Sequence, residues 1–358
     1  MLGVLRRCSL PRIVCVNTGS PRRFCSVDQM LSILEKHRTP TQQEWPRVLA
    51  VRLPCSLRIG PADATDADAV GVSLVGSPGS TPGPRLELGR EDDSLTLSVS
   101  GAEGSNLEGL LCCVRLPAML SVEVHLSGKA RATLENVVLD QCTVSTEDGD
   151  IALSSVKTNK AELSTVDGWV RSKSLLQGQI AITAKGSGGL EAQRLVGTSL
   201  EASSPLDKSL VSTSEGDQTV AAAYIERATM ISTEGNLRLG TLHSCSAALK
   251  TSSGCVSLGG LDGDCSVSTD SGDVHVVVAR TQNLQVDTST GDVNMLLSSP
   301  HQVSVDAESV SSSLDASMTK AEPSGDVGRI SIRSRVGTVS LRKQDWVSSL
   351  NLGTRGSS

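Results

Sequence analysis

Residues 267–276 read VSTDSGDVHV and hold Ser268, Asp270, Asp273 and His275 within ten positions. These are the side chains of acyl transfer, in which an imidazole takes a hydroxyl proton and a carboxylate orients the imidazole. Paired carboxylates also suit glycoside hydrolysis. Glycine followed by aspartate suits a calcium loop. Such pairs recur at Gly149-Asp150, Gly216-Asp217, Gly263-Asp264, Gly272-Asp273 and Gly291-Asp292. Each of these chemistries needs its residues held at one place, so the elements that carry them decide between site and scaffold.

The stretch is one copy of a repeat. Related copies are VSTEDGDIAL at 144, LSTVDGWVRS at 163, ITAKGSGGLE at 182, VSTSEGDQTV at 211, STEGNLRLG from 232, LKTSSGCVSL at 249, VDTSTGDVNM at 286 and IRSRVGTVSL at 332. Aligned on Gly149, Gly168, Gly216, Gly235, Gly254, Gly272 and Gly291, the steps are 19, 48, 19, 19, 18 and 19 residues. The 48-residue gap holds the degenerate copy at 182 and the loop SSPLDKS. The 46 residues from Gly291 to Gly337 hold a worn copy, VSVDAES at 303, and the loop TKAEPSG. In VSTDSGDVHV the apolar or threonine positions are Val267, Thr269, Val274 and Val276. They alternate with period two on either side of Gly272, so each half reads as a short strand. The acidic, glycine-centred middle reads as a turn, with glycine supplying a positive φ.

One copy cannot bury its apolar face alone, but stacked copies can. The expected fold is therefore all-β: a parallel β-solenoid of about ten coils of about 19 residues, with a short N-terminal helix. Right-handed winding follows from the connection rule. Valine should stack on valine, and threonine on threonine near the corner. A row of antiparallel hairpins folded into a sandwich is the alternative, which the Asp-Gly dipeptides favour and the constant step disfavours. The expected divisions are 1–25, a transit peptide; 26–47, helix and linker; 48–110, an N-terminal β segment or cap with a Pro/Gly loop; 111–345, the repetitive solenoid; and 346–358, a tail. The helix is placed over 26–39, where Val27, Met30, Leu31 and Leu34 share a face and Pro40 ends it. That helix and the segment around Trp346 are the candidates for covering the exposed end coils.

In this frame His275, between Val274 and Val276, points away from the core, and Asp273 belongs to a corner. The calcium β-roll unit GGxGxDxUx is absent, as are an EF-hand loop, HExxH, a Walker motif and GxSxG. His37, His125, His243, His275 and His301 show no ligand spacing. Polysaccharide-cleaving β-helices use carboxylate pairs and aromatic platforms, yet the only aromatics are Phe24, Trp45, Trp169, Tyr224 and Trp346. No catalytic, cofactor-binding or metal-binding residue is assigned. Seven cysteines lie beyond residue 25, an odd number without CxxC, and are expected to be reduced and mostly small apolar residues. Cys245 and Cys265 fall close to one coil apart, which would set them near each other, with a metal or disulfide there as the less favoured alternative to reduced thiols.

Residues 1–25 hold Arg6, Arg7, Arg12, Arg22 and Arg23 and no acid, the composition of a mitochondrial transit peptide. Arginines interrupt any secretory apolar run. Cleavage between Cys25 and Ser26 fits RRFCS, with cleavage after Phe24 as the near alternative. No stretch is long and apolar enough for a membrane-spanning helix. Without residues 1–25 the chain has 28 basic and 39 acidic residues, a net charge of −11, which disfavours nucleic-acid binding. The expected role is a non-enzymatic scaffold or protein-interaction module in the mitochondrial matrix, with a protein partner. A ligand- or glycan-binding solenoid, perhaps calcium-assisted, is the alternative, followed by a carbohydrate-active enzyme.

The segment VRLPAMLSVEVHLSGKA at 114–130, followed by L-x-T-x-x-G-D-V units, resembles the putative-adhesin domain, found in bacteria and animals, over roughly residues 48–345. With its arginine-rich start, the chain also resembles the animal "family with sequence similarity" proteins that carry this domain. The resemblance implies stacked strands and no particular activity or catalytic residue.

Overall fold

The computed structural model describes residues 32–40, 47–66, 69–76, 85–91, 94–100, 109–197, 209–314 and 328–344. Cys25, Ser26, Trp45, Trp346 and most of the Pro/Gly-rich loops lie outside these. Among the described residues, twenty-two strands join in one hydrogen-bonded sheet, and the only helix is the 3-10 turn Ala64–Asp66. The protein is thus all-β, with almost no helix.

Alternation dictates the strands. In β9 (Ala132–Thr146), β10 (Ile151–Thr165) and β11 (Val170–Ala184), apolar residues turn inward at every second position and polar ones outward, with a bend midway. Each runs from one glycine corner to the next. Ile151 pairs in parallel with Ala132 on one side and Val170 on the other, so successive copies lie side by side. The stack continues through β12 (Leu190–Val196), β13 (Ser209–Thr213), β14 (Gln218–Tyr224), β15 (Arg227–Ser232), β16 (Leu237–Ser253), β17 (Val256–Ser271), β18 (Val274–Arg280), β19 (Asn283–Thr290) and β20 (Val293–Leu297). All pairings in this stretch are parallel, which rules out hairpins there. One buried column runs Leu249–Val267–Val286–Ile332 and another Val256–Val274–Val293–Val339. A hydroxyl column, Thr251–Thr269–Thr288–Ser334, lines the corner. Like stacks on like, as the spacing requires.

The corner glycines are needed mainly for closeness. A Cβ on Gly168 would sit 2.1 Å from the carbonyl oxygen of Gly149, and one on Gly254 would sit 2.4 Å from that of Gly235. The same holds up the stack, with Gly188 of the degenerate copy taking its place between Gly168 and Gly216. Among the aligned corner glycines from Gly149 to Gly337, positive φ occurs only at the last three, Gly272 (149°), Gly291 (143°) and Gly337 (144°). The expectation of a positive φ at every corner is corrected accordingly: most corners exclude a side chain because the previous backbone fills its space.

Both ends depart from chain order. At one end, β2 (Val48–Leu53) and β3 (Ser56–Pro61) lie between β6 (Ser94–Ser100) and β7 (Leu111–Leu116) on one side and β8 (Leu120–Leu126) and β9 on the other. Antiparallel strands then cover this end: β5 (Arg85–Glu91) on β6, β4 (Ala69–Gly76) on β7 and β1 (Ser32–Pro40) on β4. The expected helix over 26–39 is therefore corrected in its described part, because residues 32–40 form a strand. An isolated helix of this length is marginal in water, whereas the edge of β4 offers a row of backbone partners. At the other end, β22 (Arg329–Lys343) pairs with β19 and β20 on one side and β21 (Gln302–Ser312) on the other. The worn copy at 303 thus lies outside β22, not between β20 and β22.

The glycine ladder gives a direct test. Gly254→Ala should lower stability by about 2–3 kcal/mol, since backbone must move. Gly109→Ala, with nothing within 4 Å of its Cβ, should change it by less than about 0.5 kcal/mol. Equal melting temperatures for the two variants would refute the steric account.

Candidate functional site

At five glycine corners the following residue is an aspartate or asparagine whose side-chain oxygen reaches the next coil. Asp150 Oδ1 accepts the Trp169 N–H at 2.9 Å, Asp217 Oδ1 that of Asn236 at 2.9 Å, and Asn236 Oδ1 that of Cys255 at 2.9 Å. Asp273 Oδ1 takes the Asp292 N–H at 2.9 Å, and Asp292 Oδ1 the Thr338 N–H at 2.7 Å. Asp264, at the opposite corner, takes the N–H groups of Gln282 and Asn283. The recurring Gly-Asp pairs therefore clamp coil to coil. Among the described residues, no three His, Cys, Asp or Glu side chains converge as a metal site.

Asp150 is the most heavily committed of these. Partial burial alone would raise its carboxyl. The Trp169 N–H and the guanidiniums of Arg171 (2.7 Å) and Arg131 (2.9 Å) outweigh that and hold it below the usual carboxylate range. Arg171 also lies over the Trp169 ring, 5.2 Å from its centroid.

The opposite corner gathers a set of residues that the motif search passed over. Tyr224, His243, Asp262 and Arg280 are consecutive rungs. Inward Ala223, Leu242 and Leu261 anchor the first three, so alternation throws the next residue out. The Tyr224 and His243 rings stack with centroids 4.9 Å apart and planes 5° from parallel. His243 Nδ1 donates to Asp262 Oδ2 at 3.1 Å. Arg280 grips the same carboxylate with two bonds of 2.8 and 3.0 Å. The Arg280 hydrogen bonds are the main cause of the lowered Asp262 pKa, with His243 adding to it. A His–Asp pair can serve as a base, but here Arg280 shares the carboxylate and the pair lies on an open surface. The row suits recognition: an aromatic plate beside fixed charges. Its steps of 19, 19 and 18 residues were the available sign.

Next to this row runs a groove of about 660 Å³ crossing β16, β17, β19, β22 and β21. Asp264, Asn283, Gln285, Gln302, Arg329 and Ser331 line it.

His275 is half-buried between buried Val274 and Val276, turned outward as expected, and Ser268, Asp270 and Asp273 do not converge on it. Cys245 and Cys265 are not brought together: Cys265 pairs with Ala247 and is buried, whereas Cys245 is exposed. All seven described cysteines are free. Burial pushes the thiol of Cys55 up to about 11 and those of Cys142 and Cys265 up to about 12, and raises that of Cys112 also. Such thiols are poor nucleophiles.

Because the folded Asp150 pKa is depressed, its stabilising effect is present above the unfolded carboxyl pKa. It is lost as pH falls through the folded value. Asp150→Asn should therefore be least stable relative to wild type near neutrality, with the difference shrinking below about pH 4. Urea melts across pH would measure this, and a difference that stays constant would rule out the ion pairs as its cause.

Among the solved structures that match this chain are three from bacteria. A "putative adhesin" from Parabacteroides distasonis has 11% identity and a TM-score of 0.37, over 88% of this chain and 98% of that one. A "putative adhesin" from Parabacteroides merdae has 9% identity and a TM-score of 0.36, over 88% and 96%. A "putative lipid binding protein" from Parabacteroides distasonis has 12% identity and a TM-score of 0.35, over 87% and 97%. Residues 179–342, the run from within β11 to within β22, match the family model described as Toastrack DUF4097.

Proposed function

We propose that the protein is a non-enzymatic interaction module, a scaffold that engages a protein partner through the outer faces of its stacked coils, in the mitochondrial matrix. The observation that carries this is the row Tyr224–His243–Asp262–Arg280. It presents an exposed aromatic ring and fixed charges on an open corner. The corner carboxylates, by contrast, are engaged by backbone N–H groups of neighbouring coils and serve the stack. The matrix assignment is supported by the arginine-rich, acid-free residues 1–25, and the proposal puts cleavage between Cys25 and Ser26, with cleavage after Phe24 as the near alternative. The same proposal takes the body as a right-handed parallel β-solenoid of about ten coils, supported by the parallel pairings one coil apart. It extends the kinship to the animal "family with sequence similarity" proteins, on the pattern of residues 1–25 and the repeats.

A second reading, binding of a small ligand or glycan, is favoured by the groove beside the row.

Imaging should place the full chain in mitochondria and a chain lacking residues 1–25 outside them. Identical distributions would overturn the compartment. In proximity labelling from the full chain, the double variant Tyr224→Ala, Arg280→Glu should lose specific neighbours while its melting temperature holds. Retention of the same neighbours would remove the row from the interaction.

A further inference from the structure

We infer that the groove across β16, β17, β19, β22 and β21 binds a hydroxyl-rich anion, a carboxylate or phosphate carried on a sugar or polyol, with Arg329 as its anion contact. This rests on the ligand-binding reading and is independent of the corner row.

The lining is ordered by register. Asn283 and Gln302 are the rungs on either side of Arg329, and Ser246 and Asp264 continue the line. Two positions on, Gln285 and Ser331 share a rung pair. Strand spacing of about 4.8 Å therefore sets amides and hydroxyls at regular intervals along the groove, matching a ligand that offers hydroxyls at intervals. The volume of about 660 Å³ suits a molecule of a few sugar units.

The lining holds one acid and one base, and which of them has hydrogen-bonding capacity left decides the class. The one acid in the lining, Asp264, is occupied: Oδ1 takes the Gln282 and Asn283 N–H groups at 3.1 and 2.8 Å, and Oδ2 the Asn283 amide at 3.4 Å. Gln285 is anchored to Asp287 at 2.6 Å, which turns its amide to a defined position. Arg329 is exposed, and its guanidinium forms no ion pair among the described residues. A planar fork of donors flanked by amides is the arrangement that recognises carboxylate or phosphate. A peptide is the poorer fit, because these strands are already paired on both sides except at β21 and the lining has no aromatic or deep apolar pocket.

The test is calorimetric titration of the full chain with three probes: a uronate oligosaccharide, a hexose phosphate and a neutral glucose oligomer. At least one anionic probe should bind, and at least about tenfold more tightly than the neutral oligomer. Which one binds identifies the source of the anion. Arg329→Ala should weaken that binding about tenfold with an unchanged melting temperature, and Ser331→Trp, which fills the groove from an exposed position, should abolish it. Equal affinity for the neutral oligomer, indifference to Arg329→Ala, or no binding of any probe up to about 10 mM would each overturn the inference. Tyr224→Ala, Arg280→Glu should bind the anionic probe normally, so failure in the groove and failure at the corner row are told apart.

Discussion

The carbonyl oxygen of one corner glycine occupies the space where the next coil's corner residue would carry its Cβ. From Gly149 to Gly337 the stack is held to that distance, and everything else follows from it. With backbones this close, parallel ladder bonds form along the whole coil, and side chains one repeat apart must touch. Identical small apolar residues then pack best, because a column of equals leaves neither gap nor clash. This accounts for a core built from Val, Leu, Ile, Ala and Cys with scarcely a ring in it.

The same closeness makes the corner a polar problem. Each corner strands backbone groups that no ladder satisfies, and burial makes an unpaired one costly. Two columns solve it. Inside, Thr146, Thr213, Thr251 and Thr269 direct their hydroxyls to corner carbonyls. Outside, Asp150, Asp217, Asp273 and Asp292 take the N–H groups. Where the degenerate copy breaks the inner column with Ala184, the coil above adapts. Gln218 stands fully buried between Leu190 and Leu237 in an otherwise apolar column. Its amide donates to Thr213 Oγ1 and to the Ile231 carbonyl, and its own Oε1 has no partner among the described residues. The break in the inner column thus places a buried amide in the coil that follows the interrupted spacing.

Much of this was legible from the repeat. A fixed step with period-two halves requires that Val267 meet Val286 and Thr269 meet Thr288, whatever the details of the path. The step does not say which coil neighbours which when an insertion intervenes, so the exchange of β21 and β22 had no sign in the pattern. Nor did the spacing of Met30, Leu31 and Leu34 reveal that the chain just beyond would serve better as a strand on the β4 edge. The histidines were compared with ligand spacings inside one copy. His243 and Asp262 become partners only when residues are compared one full coil apart. Cys245 and Cys265 illustrate the converse: a separation of twenty residues is near the step, but the corner between them shifts the register so that Ala247 takes the place beside Cys265.

A stack so determined in its interior leaves function few places to reside. An inward side chain is fixed by the two rungs that flank it, and a corner carboxylate by the N–H it must accept. Changing either disturbs the neighbours on both sides. Only the outward columns away from the glycine corner can vary without cost to the stack, and each such column is a straight row of side chains at strand spacing. Tyr224, His243, Asp262 and Arg280 form one such row, and Asn283, Arg329 and Gln302 another beside it. Neither is the residue set that first suggested chemistry. Those residues belong to a single copy, and in this architecture a surface with chemical character is assembled across copies.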